Sequence, residues 1–388
     1  MMIPEVLSAG LILILLFAAG FLALKIKIPE VIIFTLLGIA LGGLLSVSHL
    51  LHFVSEVGII VLFFTLGMEF PIRQLVTVAK KVSAAGTLDI VLCLGVTIVI
   101  CIVMDVEPLM AFLIGAVVYA TSSSITAKLL ERYKRMANPE AEFLLGLLIF
   151  EDLVAPILVA ILVGLTAGGA LTFGTLSIIV LKVIGLTGGA ILIGLFVFSK
   201  LESFFDRYMN SDILIMFIVG VSLAYGGLAL LLGLSEVLGA FLAGVIIAEV
   251  RRSHQLQSII VPIRDLTLPL FFLYFGTTIR FGEGIPMIGL LAILLVWSVV
   301  AKLIVGFYGG RWYGLSPRGA LRAGLSLIQR GEFSIVIASL GVGSFKVFSS
   351  IYILASSMIG IGIFILAPKI ATKIYGQPKE KKKIKLPG

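Results

Sequence analysis

Leu144-Leu145-Gly146-Leu147-Leu148-Ile149-Phe150-Glu151-Asp152-Leu153-Val154-Ala155-Pro156-Ile157-Leu158-Val159 is the stretch that decides how this chain is read. Two adjacent carboxylates, Glu151 and Asp152, stand in the middle of an otherwise apolar run. A helix crossing a bilayer needs about 20 predominantly apolar residues, and this run supplies most of one. A charge at the bilayer centre costs about 2.5–3.5 kcal/mol on insertion scales, and neighbouring like charges add repulsion. A site that unfavourable points to a function, and binding protons or cations is what paired carboxylates do.

The rest of the chain agrees. Of 388 residues, 60% are hydrophobic and 13% charged, with mean hydropathy +1.20. Soluble domains carry about 25% charged residues. The chain therefore reads as an all-α polytopic membrane protein. The apolar runs lack the period-2 alternation of a transmembrane barrel. The first run, from Val6 to Leu24, has no charged leader and no small-residue cleavage site, so it reads as a span and not a signal peptide. The net charge of +8 lies in short loops between spans, which argues against a nucleic-acid partner and for contact with membrane lipid. Cys93 and Cys101 fall on one expected helix, about 12 Å apart by rise, too far for a disulfide. His49, His52 and His254 read as solvated loop residues. There is no Walker loop, and Gly360-Ile361-Gly362 has no preceding strand, so an enzyme and a bound cofactor are both unexpected. Spacings such as Gly38 to Gly42 and Ala240 to Gly244 read as close helix packing.

Thirteen apolar segments follow one another, and lysines and arginines orient them. With the N-terminus outside, one set of alternate loops holds Lys25, Lys27, Arg73, Lys80, Lys81, Lys128, Arg132, Lys134, Arg135, Lys200, Arg207, Arg251, Arg252, Arg264, Arg311, Arg318, Arg322 and the tail lysines. The opposite loops hold only Arg280 and Lys346. The expectation is a plasma (inner) membrane protein with a cytoplasmic C-terminus. Thirteen divides into six, a linker and six: a first repeat at about 5–166, a linker helix at about 171–199, and an inverted second repeat at about 210–370. Together they form one transmembrane domain, 1–372, followed by a basic tail, 373–388. The fifth span of each half is interrupted, by Thr121-Ser122-Ser123-Ser124-Ile125-Thr126 in one and by Gln329-Arg330-Gly331-Glu332 in the other.

Ionisable residues inside spans are the functional pointers in a membrane protein. Asp152 is read as the cation or proton ligand, a monovalent-cation site, and Glu151 as the residue that shares its charge. Their titrations are coupled, so protons belong to the pair, and proton and cation compete for one site. Pro156 has no N–H, which frees the Asp152 carbonyl four residues earlier. The hydroxyls of Thr121, Ser122, Ser123, Ser124 and Thr126 can line the break with neutral oxygens. Lys302, deep in Trp297-Ser298-Val299-Val300-Ala301-Lys302-Leu303-Ile304-Val305, is expected to pair with the acidic site. Arg330 and Glu332 read equally as a mutual ion pair steadying a broken helix or as direct participants. Glu56, Asp89 and Glu236 lie near expected helix ends and read as interfacial or capping residues. Lys182 is given no role.

These residues resemble the membrane domain of the monovalent cation:proton antiporter-2 family, and within it the Kef-type K⁺/H⁺ and related Na⁺/H⁺ antiporters. The matching segments are Leu62-Phe63-Phe64-Thr65-Leu66-Gly67-Met68-Glu69-Phe70, Ser122-Ser123-Ser124, Phe150-Glu151-Asp152, Leu238-Gly239-Ala240-Phe241-Leu242-Ala243-Gly244, Leu270-Phe271-Phe272 and Gly331-Glu332-Phe333. The resemblance implies thirteen helices in a sodium/proton-antiporter-like fold with crossed broken helices. It also implies a homodimer and an elevator-like movement of a core against a dimerisation domain. It carries the ion-binding aspartate onto Asp152, its neighbour onto Glu151 and the membrane lysine onto Lys302. Kef-type proteins carry a cytosolic nucleotide-binding domain, so control here is expected from a separate regulatory subunit or not at all. The function expected is K⁺/H⁺ exchange, with Na⁺/H⁺ exchange as the alternative. From other classes, the same acidic site suits a ligand-gated cation efflux channel, and purely structural charges would suit a membrane sensor or scaffold.

Overall fold

The computed structural model describes residues 5–26, 28–45, 49–69, 72–166, 173–193, 211–248, 253–279 and 287–376. The loop charges Lys27, Lys200, Arg207, Arg251, Arg252 and Arg280, the ends of the expected linker helix, and the tail beyond 376 lie outside the described residues.

Among the described residues every regular element is helical. The first three helices are α1 (Glu5–Ile26), α2 (Glu30–Leu45) and α3 (His49–Met68). Next, α4 (Ile72–Asp89) runs through a π-helical stretch, Ile90–Val96, into α5 (Thr97–Val103). Then come α6 (Pro108–Tyr119), α7 (Ser123–Arg132), α8 (Pro139–Thr166) and α9 (Phe173–Ile193). The second half comprises α10 (Ser211–Leu231), α11 (Glu236–Ala248), α12 (Ser253–Thr277) and α13 (Ile288–Ile304). A second π-helical stretch, Val305–Gly309, joins α13 to α14 (Gly310–Tyr313). The chain ends in α15 (Pro317–Gly324), α16 (Glu332–Leu340) and α17 (Ser344–Tyr375).

Nine helices among the described residues are long and apolar enough to cross a membrane, and Glu30–Gly42, Ser177–Ala190 and Glu236–Ala248 are shorter apolar helices. The expected thirteen apolar segments are therefore not all present as long helices among the described residues. The physical reason is local: residues 317–340 split into two pieces, each too short to span, and α11 has only 13 residues.

Both interruptions fall where polar residues interrupt the apolar pattern, Thr121-Ser122-Ser123-Ser124 in one and Gln329-Arg330-Gly331-Glu332 in the other. Ser122, in an extended conformation, caps α7 by accepting a hydrogen bond from the Ile125 N–H at 3.2 Å. Ahead of the second interruption Ser316 caps α15 in the same way, accepting from the Gly319 N–H at 3.2 Å, with Pro317 at the first helical position, while Gly331 opens α16 with no side-chain cap.

Two packing groups emerge. In one, α3 lies against α11 and α12, α2 against α12, α10 against α11, and α1 against α2. In the other, α4 packs on α8, α6 on α16, and α17 on α15 and α16. The first group is zipped by glycines, which let backbones touch. A Cβ on Gly67 would run into the Phe241 carbonyl, one on Gly244 into the Phe64 carbonyl, and one on Gly38 into the Leu273 carbonyl. The small-residue spacings are packing devices, as read from the sequence. We predict that Gly67→Val costs about 1–3 kcal/mol through overpacking. A fall in the melting temperature of the purified protein in detergent checks this, and an unchanged value contradicts the crossing.

Candidate functional site

The two interruptions cross each other. The Ser122 N–H donates to the Gln329 carbonyl at 3.0 Å, and the Thr121 hydroxyl reaches the Leu327 carbonyl at 3.4 Å. In the first turn of α16, the Ser334 hydroxyl serves the end of α6, at 2.8 Å from the Val117 carbonyl and 3.1 Å from that of Ala120. Gln329 donates from Nε2 to Thr126, whose hydroxyl in turn donates to the Ser122 carbonyl at 2.7 Å. Gly331 is required by the close approach: a Cβ there would strike the Ser122 side chain.

Helix α8 brings the acidic pair to this crossing. Neighbouring residues on a helix point about 100° apart, so the two carboxylates meet different surroundings. Glu151 is fully satisfied. Its Oε2 accepts from the Thr121 N–H at 2.7 Å, and its Oε1 lies 3.2 Å from Lys302 Nζ. Lys302 also sits 2.8 Å from each carboxylate oxygen of Asp89. All three side chains are buried, at 0–1% exposure. Asp152 is only 3% exposed, and its Oδ1 has no hydrogen-bond partner in the protein. The Ser123 hydroxyl reaches Asp152, whose charged neighbours include Glu332, Glu151 and Glu69. Pro156 lies one turn further along α8, so the Asp152 carbonyl has no helical N–H to receive.

Glu332 collects the serines. Its Oε2 accepts from the hydroxyls of Ser122 (2.8 Å) and Ser124 (3.1 Å). Its Oε1 accepts from the Ser124 N–H (3.2 Å) and the Ser123 hydroxyl (3.3 Å). A carboxylate on the first N–H groups of a helix is favourably placed against the helix dipole, so Glu332 of the second half caps α7 of the first. Arg330, wholly buried, donates to the freed carbonyls of Ile328 (3.0 Å) and Leu327 (3.3 Å).

Several sequence expectations are thereby corrected. Arg330 and Glu332 do not pair with each other, because Arg330 serves carbonyls of its own break while Glu332 serves the opposite one. Asp89 is no helix cap. It is wholly buried and is the strongest partner of Lys302, whose expected pairing with the acidic site falls on Glu151. His52 sits on α3, not in a loop, with Nε2 3.4 Å from Glu56. Thr126 turns to Gln329 and the Ser122 carbonyl and does not reach the acidic pair. A signal for Asp89 existed in the sequence, an acid inside the apolar segment 83–104; the π-helical stretch that follows it, a feature frequent at functional sites, is visible only in the fold.

Two cavities approach the crossing along α16 and α12. One, of about 430 Å³, is lined by Glu332 and Ser124 with Glu30, Lys128, Arg264 and Asp265 around it. Lys128 and Glu30 are 3.4 Å apart there. The other, of about 320 Å³, reaches Val336 and Ser339 from the opposite end and carries His52, Glu56, Glu236 and Lys346. Glu332 and Val336 are one helical turn apart, so the partition between the cavities is thin. The Phe63 and Phe333 rings pack edge to face beside it, centroids 4.7 Å apart.

A family model described as sodium/hydrogen exchanger, transmembrane, matches residues 3–369. The chain belongs to the sodium/hydrogen exchanger family. The exchanger is thus a multi-pass membrane protein of a cation/proton antiporter family, in line with the resemblance read from its motifs. It is 66% identical over 377 residues to the ammonium/H⁺ antiporter subunit AmhT of Alkalihalophilus pseudofirmus, covering 97% of each chain. It is 28% identical to the K⁺/H⁺ antiporter subunit KhtU of Bacillus subtilis, covering 95% of this chain and 94% of that one. Among solved structures it is similar to the sodium proton antiporter MjNhaP1 of Methanocaldococcus jannaschii, with TM-score 0.70 and 19% identity, covering 96% of this chain and 99% of that one. At that identity the likeness concerns the fold alone.

Proposed function

We propose that this exchanger moves a monovalent cation of potassium or ammonium size out of the cytoplasm against protons, with Asp152 as the shared ligand. The observation that carries this is the Asp152 Oδ1: a buried carboxylate oxygen with no partner, beside Ser123 and Glu332 where the two broken helices cross. An unpaired buried charge is costly, and either a proton or a cation relieves it. The hydroxyl of Ser123 and the freed Asp152 carbonyl add hard oxygen ligands suited to an alkali cation. K⁺ and NH₄⁺ are close in size and share those ligands, and the two relatives above are named for those two cations. Two separate cavities support alternating exposure of one site over a conducting pore.

The wider arrangement follows the same plan. Counting each broken or π-interrupted helix pair as one span gives thirteen, in two inverted halves joined by α9. Asp89 and Lys302 then stand in corresponding spans, each just ahead of a π-helical stretch. The transmembrane domain covers about 1–372. The group containing α4 to α8 and α13 to α17 moves, elevator-fashion, against the glycine-zipped group, which forms a homodimer. The Lys128 and Arg264 cavity faces the cytoplasm, with the C-terminus. A separate cytosolic regulatory subunit fits the word subunit in both relatives' names.

The test is reconstitution into liposomes with a trapped pH dye, adding K⁺, NH₄⁺, Rb⁺, Na⁺ and Li⁺ in turn, with protein-free vesicles correcting for ammonia diffusion. Proton movement that depends on K⁺, Rb⁺ or NH₄⁺ supports the reading. Proton movement with no cation, or single-channel conductance without a pH gradient, overturns it.

A further inference from the structure

A lysine ammonium has three N–H donors and no acceptor. Lys302 spends all three: two on the Asp89 oxygens at 2.8 Å and one on Glu151 Oε1 at 3.2 Å. None remains for Asp152, although Asp152 is the next residue after Glu151 and carries the unpartnered buried oxygen. We infer that Asp89 is a positioning residue: it holds the Lys302 ammonium on Glu151 and so keeps a tethered competitor away from the cation's ligand, Asp152.

An ammonium on a side chain within the site is present at high effective concentration, so if it could reach Asp152 it would occupy that carboxylate in place of the transported ion. Coulomb attraction and hydrogen bonding both favour a lysine carrying two carboxylates over one carrying a single carboxylate. The second carboxylate reaches Lys302 from α4, 213 positions away in the chain, at the entrance to the π-helical stretch. Without it, two ammonium donors lose their acceptor in a wholly buried place, where an unmet charged donor is expensive. The unpartnered Oδ1 of Asp152, one residue on from Glu151, is the acceptor we assign to them. The ring of Tyr119, 5.7 Å from Nζ, closes another side of the ammonium.

This inference rests on the antiport reading, and its test separates the two. Exchange is followed in proteoliposomes with the pH dye, and the half-saturating K⁺ or NH₄⁺ concentration and the maximal rate are read separately. If the unmodified protein shows no exchange, the functional reading fails, and this inference falls with it. If it exchanges, Asp89→Asn is expected to raise the half-saturating concentration about tenfold or more, the scale of one charged hydrogen bond, while the rate at saturating cation is largely kept. Asp89→Glu, which restores the carboxylate, returns the half-saturation towards that of the unmodified protein. The double variant Asp89→Asn with Lys302→Gln removes the competitor as well, and half-saturation falls again, a non-additive result. It also removes both charges of the pair, so it is the form to use if the single variant does not fold. Unchanged half-saturation in Asp89→Asn overturns the inference. So does a folded double variant as impaired for cation as, or more impaired than, the single one, because a merely structural role would add the two defects.

Discussion

Replacing Asp152 by asparagine is expected to abolish cation-dependent proton movement while the protein still folds. Asparagine has nearly the shape of aspartate but neither ionises nor carries a proton from one side to the other, so both halves of the exchange lose their ligand. Folding survives because the native carboxylate contributes little to holding the structure together. Its Oδ1 is unpartnered, and its charged neighbours include the carboxylates of Glu332, Glu151 and Glu69. Removing a charge from such surroundings relieves repulsion, so the variant should melt at or above the temperature of the unmodified protein. The check is a pH-dye assay in vesicles paired with thermal unfolding in detergent. Retained exchange by the folded variant would remove Asp152 from its assigned role.

The second large effect lies away from the site. Glu140, wholly buried at the start of α8, receives Arg135 at 3.2 Å on one oxygen and Arg322 at 2.5 Å on the other. Asn138 adds a bond to Oε1 at 3.3 Å. Arg135 continues to the Ser326 hydroxyl (3.1 Å) and the Phe364 carbonyl (3.3 Å), with its guanidinium 4.4 Å from the centre of the Phe364 ring. This knot ties the turn between α7 and α8 to α15 and α17, and so ties both broken helices at the same end of the molecule. Glu140→Ala leaves two arginines facing each other with no buried counter-charge. Breaking a buried pair from one side costs about 3–5 kcal/mol. A large drop in melting temperature is expected for Glu140→Ala, and a smaller one for Glu140→Gln, which keeps hydrogen-bonding capacity. Equal stability in all three forms would show that the knot carries no load.

Much of this was legible in the chain. Glu151 and Asp152 stand out because charge in an apolar run is costly whatever the tertiary structure. The two breaks were legible because Thr121-Ser122-Ser123-Ser124 and Gln329-Arg330-Gly331-Glu332 interrupt an apolar pattern. Gly38 and Gly244 announced backbone contact by their spacing to Gly42 and Ala240, whereas nothing in the spacing announced that of Gly67. What sequence could not supply was partner choice. Lys302 finds Asp89 and Glu151 across 213 and 151 positions. Arg330 and Glu332 are two residues apart, yet each turns to a different helix end. Arg135 and Arg322 read as loop charges because the orientation rule counts charge and says nothing of burial. In each case the missing information was which surface packs against which, and helical periodicity does not encode that. Glu151 and Asp152 themselves divide for the same reason: the helix turns one towards Lys302 and leaves the other without a partner for Oδ1.

The central claim is that proton and cation compete for Asp152. The direct measurement is the half-saturating K⁺ or NH₄⁺ concentration of the unmodified exchanger in proteoliposomes, taken across a series of pH values with both faces at equal pH. Competition for one carboxylate predicts that half-saturation rises steadily as the pH falls, while the rate at saturating cation stays nearly constant. A half-saturating concentration that does not change with pH would contradict a shared site and, with it, this account of the exchange.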